Sequence, residues 1–394
     1  MKKLSLVAIA LATFGLVGCG TTSGSKKETI HLQLVPSNDT QTLLTRAKAL
    51  EPILAKAEPN YDWTIDVGTS YAATTTALVA GQIDGGFLTS SGYAQMTLEQ
   101  PGKVDLLLSA GRAGYKVQSV DFPGTDKAAR EKQRKAMNGT NPDTKEAYDY
   151  KGQQDPTLVN FYCSVVLTLK DSERTAKNLP AFDTDGDGEV SLDELHAKNA
   201  QWGIMGPTSS SGFIYPTKYL SDEGFTGGFV DKATYDKKTA EEQKKFFIGA
   251  SQTSYPAMLD NLMNGQIDVA VGFFDIRYGS AYVQSGGKYE GKDELFTKTY
   301  TQAVLDPIMN DTVCASSTIS DAKKKAIKNA LKAAVKDGDM KDDGKKNDVD
   351  GNGQPSGSYL LYQIYSHTAY TDGKDSDYDA AREMYQWTLE HNNK

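Results

Sequence analysis

Cysteine is scarce in this chain, with three in 394 residues, so the fold cannot rest on a disulfide scaffold. Four histidines leave no room for a histidine-rich metal centre. An excess of basic charge is also missing: 43 Lys and Arg stand against 51 Asp and Glu, a net charge of −8. Nucleic acid and anionic membrane surfaces need a basic face, so no nucleic-acid partner is expected. No P-loop, nucleophile elbow or His-Glu-x-x-His occurs, and we expect no enzyme. Nor does any run of residues reach the roughly twenty apolar positions that a membrane span requires. What is present, 39% hydrophobic and 24% charged residues, suits a packed core. The length fits two domains of about 100–200 residues each.

The first residues read as an address. Lys2 and Lys3 precede an apolar stretch from Leu4 to Val17 that ends in Leu16-Val17-Gly18-Cys19. This resembles a bacterial lipobox. Residues 1–18 are then a lipoprotein signal peptide, Cys19 carries the lipid, and 19–28 form a flexible tether. The remainder is expected to be extracytoplasmic and lipid-anchored to the bacterial membrane.

Thr29–Val35 alternates like a strand, Thr42–Ala57 carries an amphipathic helical stripe interrupted by Pro52, and Trp63–Val67 reads as a second strand. A helix over Thr74–Ala80 and a short strand from Gly85 complete an alternating α/β pattern. Gly81-Gln82-Ile83-Asp84 recurs as Gly265-Gln266-Ile267-Asp268, each at a helix–turn–strand junction. That domain-sized separation predicts two similar α/β lobes, with Asp84 and Asp268 as turn or cap residues. Polar stretches at 114–155, 178–200 and 337–358 read as surface insertions that bury little.

Two segments carry chemistry. Ser209-Ser210-Ser211-Gly212 lies between a short strand and a helix predicted over Phe213–Leu220. Serines there either cap a helix within a flexible loop or offer hydroxyl and backbone donors to an oxyanion. Asp183–Glu194 has the pattern of an EF-hand loop, with Asp183, Asp185, Asp187 and Glu194 at positions 1, 3, 5 and 12. Glu189 would ligate through its carbonyl and Ser191 directly or through water, giving a structural Ca²⁺ site; a solvated acidic turn is the alternative. Asp348–Gly353 repeats half of the pattern, with Tyr359 where the last ligand should stand.

Taken in order, Val35-Pro36-Ser37, Gly68-Thr69-Ser70-Tyr71, Gly92-Tyr93, the serine run, Tyr215-Pro216 and Asp377-Tyr378-Asp379 with Arg382-Glu383 form a familiar series. The chain resembles substrate-binding proteins of phosphate, phosphite and phosphonate ABC transporters. The resemblance implies a two-lobed type II periplasmic-binding-protein fold with a hinge. Lobe 1 is expected over 29–165 and 305–394, and lobe 2 over 166–304. It further implies a small phosphorus oxyanion as ligand, an ABC permease as partner and a monomer. It favours the cradle reading for Ser209, Ser210 and Ser211. Ser37, Tyr71, Tyr93 and Tyr255 fall at cleft positions, and Asp275 is where an acidic residue faces the ligand. Ser254-Tyr255 stands where a histidine is often found. Cys163 and Cys314 fall where the family's chain crosses between lobes, and either a disulfide or two buried thiols is compatible with that. A calcium-binding surface lipoprotein that uses the fold for protein recognition or sensing is the rival reading.

Overall fold

The computed structural model describes residues 27–284, 286–336 and 355–391. The expected signal peptide, Cys19 and the half-loop Asp348–Gly353 lie outside the described residues.

The chain starts a first sheet with β1 (Glu28–Leu34), β2 (Tyr61–Val67), β3 (Gly85–Leu88), β4 (Val104–Tyr115) and β5 (Gln154–Val159). It crosses to a second sheet with β6 (Phe161–Leu169), β7 (Gln201–Ile204), β8 (Gly228–Val230), β9 (Phe246–Ser251), β10 (Val269–Phe273) and β11 (Thr299–Met309). It then returns for β12 (Thr312–Ser316) and β13 (Ala369–Asp372). The first sheet runs β13-β4-β12-β3-β1-β2, with β5 on β4; the second runs β11-β6-β10-β7-β9-β8. In each, parallel strands (β2-β1-β3 in the first, β8-β9-β7-β10 in the second) meet an antiparallel strand, β12 or β6. The lobes are therefore two versions of one layout, as the repeat implied.

The repeat itself shows how. Gly81 and Gly265 adopt φ of 68° and 74°, a left-handed conformation that glycine takes without steric cost. Asp84 follows, its amide donating to the His31 carbonyl at 2.9 Å and its carboxylate accepting from the His31 amide at 2.8 Å. Asp268 does the same to Gln201, with both bonds at 2.9 Å. Each aspartate thus sits in the turn and pins the strand that follows it, β3 or β10, to β1 or β7; of the expected turn or cap roles the structure shows the turn, the helix ends being capped by Ala80 and Gly265.

Alternation along β1 buries Ile30, Leu32 and Leu34 against Leu43, Ala47, Leu50 and Leu54 of the Thr40–Ala57 helix. That helix starts two residues earlier than expected because Asp39 caps it, accepting from the Thr42 amide at 2.8 Å, and it runs through Pro52 unbroken. The lobe edges also differ from the expected ones. β6 and β11 belong wholly to the second sheet, so the crossings lie at 160 and 310–311 and not at 165/166 and 304/305. The Asn310 amide donates to the Asn160 carbonyl at 3.0 Å, which sets the two crossings side by side.

The 114–155 insertion is not loose cover. Its Lys127–Met137 helix buries Gln133, Ala136 and Met137. The Asn138 side chain then brackets Thr301 of β11, donating to its carbonyl at 2.9 Å and accepting from its amide at 2.7 Å. The 178–200 segment likewise sends Phe182 and Leu195 into the core beside Trp202 and Phe247. Polar composition hid these few anchoring residues.

Candidate functional site

A cavity lies on the seam between the lobes. Ser37, Asn38, Tyr71, Thr89, Arg112 and Asp311 line it from the first lobe and the crossing. Tyr162, Ser209, Ser211, Tyr255 and Phe273 line it from the second. Local structure places these groups. Tyr71 and Tyr255 each open a helix, Tyr71–Val79 and Tyr255–Asn264. Thr89 caps the Ser90–Glu99 helix, and Ser209 caps the helical segment that continues into Tyr215–Asp222. Four helix starts, two from each lobe, therefore face one space, and each brings the positive end of its dipole, although at Tyr255–Asn264 the first amides are already taken, Tyr255 N by the Ser37 carbonyl and Ala257 N by Ser254 Oγ, both at 3.3 Å. Such an arrangement favours an anion.

The Tyr255 hydroxyl sits 3.1 Å from both Ser209 Oγ and Ser211 Oγ. Burial pushes the Tyr71, Tyr162 and Tyr255 phenols up, so all three are neutral donors. Among the described residues, the Tyr71 and Tyr162 hydroxyls have no hydrogen-bond partner. Arg112 is the cation of the cavity. It lies 4.5 Å over the Tyr162 ring, bonds Asp311 at 2.5 Å, and leaves its Nε buried without a partner. Behind Asp311 stands the buried His367, whose Nε2 is 3.3 Å from the carboxylate. Burial works against the charge on Asp311, but Arg112 and the His367 bond outweigh it and hold the carboxyl below its ordinary range. Burial lowers His367, which stays neutral. The cavity has about 40 Å³ of room for water-sized occupants. At roughly 10–15 Å³ per water, that is about three waters.

Five expected residues, Ser37, Tyr71, Ser209, Ser211 and Tyr255, thus meet in one place. Three do not. Ser210 turns to the first lobe, where its hydroxyl donates to Ser91 Oγ at 2.8 Å and accepts from the Ser91 amide at 3.2 Å, holding the lobes together. The Tyr93 hydroxyl donates to Asp375 at 2.5 Å and its ring packs on Tyr378, away from the cavity. Asp275 has no exposure at all and is bound by Arg277, with Nη2 to Oδ2 at 2.6 Å and Nε to both oxygens at 3.0 and 3.1 Å. Tyr150, from the insertion, donates to the same carboxylate at 3.0 Å. Its acceptors are occupied, so it cannot serve a ligand.

Sequence reasoning missed Arg112 and Asp311. A signal for Arg112 exists: it is the one charge in Leu106–Tyr115, between Gly111 and Ala113 on an apolar strand. Asp311 had none beyond its place at the crossing. Cys163 and Cys314 are free. They lie on opposite sides of the crossing, Cys163 opposite Pro307 in the second sheet and Cys314 opposite Gly86 in the first, so of the two expectations the structure has the two buried thiols.

In the acidic loop, oxygens of Asp183, Asp185 and Asp187 lie within 4.8 Å of one another. Glu194 instead folds back, accepting from Thr184 N at 2.6 Å and Ser191 N at 2.9 Å. These bonds outweigh burial and hold its carboxyl at about 2. The Glu189 side chain pairs with Arg134 at 3.0 Å, leaving only its carbonyl for the loop, and the Ser191 hydroxyl caps the Leu192–Ala197 helix.

The fold has many solved neighbours. A binding-protein component of an ABC phosphonate transporter from Pseudomonas aeruginosa superposes with a TM-score of 0.56 at 12% identity, covering 93% of this chain and 88% of that one. PhnD1 from Prochlorococcus marinus, solved with methylphosphonate, gives 0.56 at 11%, covering 92% and 98%. XAC2383 from Xanthomonas citri, bound to ATP, gives 0.53 at 13%, covering 93% and 99%. At these identities the likeness is one of fold. No curated protein sequence matches the chain. The family model described as "ABC transporter, phosphonate, periplasmic substrate-binding protein" matches residues 32–378. Such proteins work outside the cytoplasmic membrane with an ABC permease and are in general not enzymes. With that match spanning both lobes and the cavity between them, the chain belongs to the family of periplasmic substrate-binding proteins of phosphonate ABC transporters.

Proposed function

We propose that this protein captures a small phosphorus oxyanion (phosphonate, phosphite or phosphate) between its lobes and delivers it to an ABC permease. The observation that carries the reading is the cavity itself: four helix starts, the Tyr255–Ser209–Ser211 hydroxyl cluster and Arg112 around a space of about 40 Å³. That space suits a PO₃ group and is far too small for a nucleotide. Asp311 takes the role expected of Asp275. Placed beside Arg112, its carboxylate accepts from a P–OH, so the favoured ligand still carries one acidic proton. Sulfate, fully ionised at neutral pH, is disfavoured by the same carboxylate.

Anchoring through lipid at Cys19 and a structural calcium in the Asp183–Glu194 loop belong to the same proposal. The lipobox supports the first, and the grouping of Asp183, Asp185 and Asp187 supports the second. A role in calcium-dependent protein recognition has no observation that favours it over capture. The test is calorimetry with methylphosphonate, phosphite, phosphate, sulfate and ATP. Tight binding of at least one of the first three, with sulfate and ATP weak, is the expected result. Silence from all three phosphorus oxyanions would overturn the reading.

A further inference from the structure

Beside the ligand cavity lies a second, larger one, with about 340 Å³ of room for water-sized occupants. The two share Asn38, and neighbouring residues divide between them: Tyr255 and Gly279 line the inner cavity, Ser254 and Ser280 the outer. The outer cavity is thus the continuation of the ligand site along the seam.

Its chemistry is unusual in one respect. Arg46 lines it, is only 9% exposed, and forms no ion pair among the described residues. Its partners are neutral oxygens: Gln284 Oε1 at 2.6 Å, the Gln363 carbonyl at 2.9 Å and Gln363 Oε1 at 3.2 Å. Burying a guanidinium without a counter-charge is costly, and burial accordingly lowers its pKa. Ser280, 1% exposed, lines the same space with its Oγ unpartnered. The other charged groups lining this cavity are already engaged. Asp39 caps a helix through the Thr42 amide and hydroxyl, both at 2.8 Å. Asp260 binds Lys288 and takes the Tyr289 hydroxyl at 2.8 Å. One buried cation and one buried donor are left for an anion.

We propose that the outer cavity is a subsite for a negatively charged substituent, with Arg46 and Ser280 as its specificity-determining residues. The ligand class is a phosphonate with a carboxylate on a short alkyl chain, its PO₃ group in the inner cavity and its carboxylate on Arg46. The inference rests on the oxyanion reading of the inner cavity, and it excludes an ammonium-bearing chain, which would meet Arg46.

The experiment is calorimetry on the full chain with methylphosphonate, phosphonoacetate and 2-aminoethylphosphonate. Methylphosphonate by itself reports on the inner cavity. The ratio of phosphonoacetate to methylphosphonate affinity reports on the outer one, and it cancels any common effect on lobe closure. We expect a ratio of about ten or more in the unaltered protein, the gain of one charge-assisted contact, with 2-aminoethylphosphonate weaker than methylphosphonate. Arg46→Gln should bring the ratio to near one, and Ser280→Ala should lower it several-fold. If Arg46→Gln does not fold, Ser280→Ala decides. A ratio of one or below in the unaltered protein, or a ratio unchanged in the variants, overturns the inference while leaving methylphosphonate capture standing.

Discussion

Replacing Asp275 separates a structural role from a binding role. The carboxylate and the Arg277 guanidinium are both fully buried. A carboxylate offers two acceptor oxygens to Arg277 Nε, Arg277 Nη2 and Tyr150; an amide offers one, and turns N–H groups on the remaining donors. Asp275→Asn therefore leaves a buried guanidinium without its counter-charge, a change that costs about 3–5 kcal/mol. Unfolding entropy for a chain of this length is on the order of 0.75 kcal/mol per kelvin, so the melting temperature should fall by about 4–7 °C if the lobes unfold together. If the second lobe unfolds by itself, the fall is larger. Substituting Arg277→Met in the same protein removes the orphaned charge and should recover part of the loss. The assay is calorimetric melting with and without saturating methylphosphonate. The ligand-induced rise in melting temperature should be the same in Asp275→Asn as in the unaltered protein, because Asp275 does not touch the cavity. An unchanged melting temperature together with lost ligand response would refute the structural assignment.

The remaining expectations are briefer. Ser209→Ala with Ser211→Ala should weaken methylphosphonate binding by roughly 1.5–3 kcal/mol for each hydrogen bond lost to the charged ligand, read by calorimetry. Ser210→Ala, which frees Ser90 and Ser91 of the first lobe, should chiefly speed ligand release in stopped-flow displacement. Millimolar calcium should raise the melting temperature and chelation reverse it, with oxyanion affinity little changed; Asp183→Ala with Glu194→Ala should abolish the response, and a full response in that variant would exclude the loop. Affinity for methylphosphonate should fall as pH rises through the ligand's second ionisation, since Asp311, held below its ordinary pKa, stays charged throughout and only the ligand loses its proton. Asp311→Asn should flatten that profile. Because the Asp311 pKa is depressed, its share of fold stability is present above the unfolded value of about 3.9 and is lost as pH falls through the folded one.

Short-range rules made much of the fold readable. The strands expected over Thr29–Val35, over Trp63–Val67 and from Gly85 fall within two residues of β1, β2 and β3, because apolar alternation and turn glycines mark them locally. The Gly-Gln-Ile-Asp repeat was legible because its glycine and aspartate act within a few residues and on the adjacent strand. The hydroxyl side of the site was reached through the resemblance, whose motif positions carry Tyr71, Ser209, Ser211 and Tyr255; the structure puts these residues at helix starts. Asp275 failed because its partners are not local in the relevant sense. Arg277 lies two residues on, but only the fold buries both together, and Tyr150 comes from an insertion whose composition suggested solvent. Arg112 and Asp311 are distant in sequence and meet only because β4 runs past the second crossing, so no local pattern announces the pair.

That division of the site has a mechanical consequence. Arg112 and His367 belong to the first lobe, and Asp311 sits where the chain re-enters it, so the charged part of the site stays assembled when the lobes part. Ser209, Ser211 and Tyr255, with their mutual bonds, belong to the second lobe and also stay together. Under the proposed function, opening would separate a preformed charge-recognising half from a preformed donor half, and a ligand would complete its hydrogen bonds only when both halves surround it. Beside the inner cavity the bonds across the seam, from Thr89 Oγ1 to the Thr208 carbonyl at 3.2 Å and among Ser90, Ser91 and Ser210, are between neutral groups, whereas farther out charged groups also cross it, as in Arg46 to Gln284 at 2.6 Å and Arg130 to Asp306 at 2.7 Å. Each of the neutral bonds contributes only about 0.5–1.5 kcal/mol. Under the proposed function, charge-assisted bonds from the donor half to an oxyanion held by Arg112 would be roughly twice as strong and would add to them. The proposed function thus couples closure to the presence of an anion, with the crossings at Asn160 and Asn310 as the hinge. A permease that reads the closed shape reads occupancy.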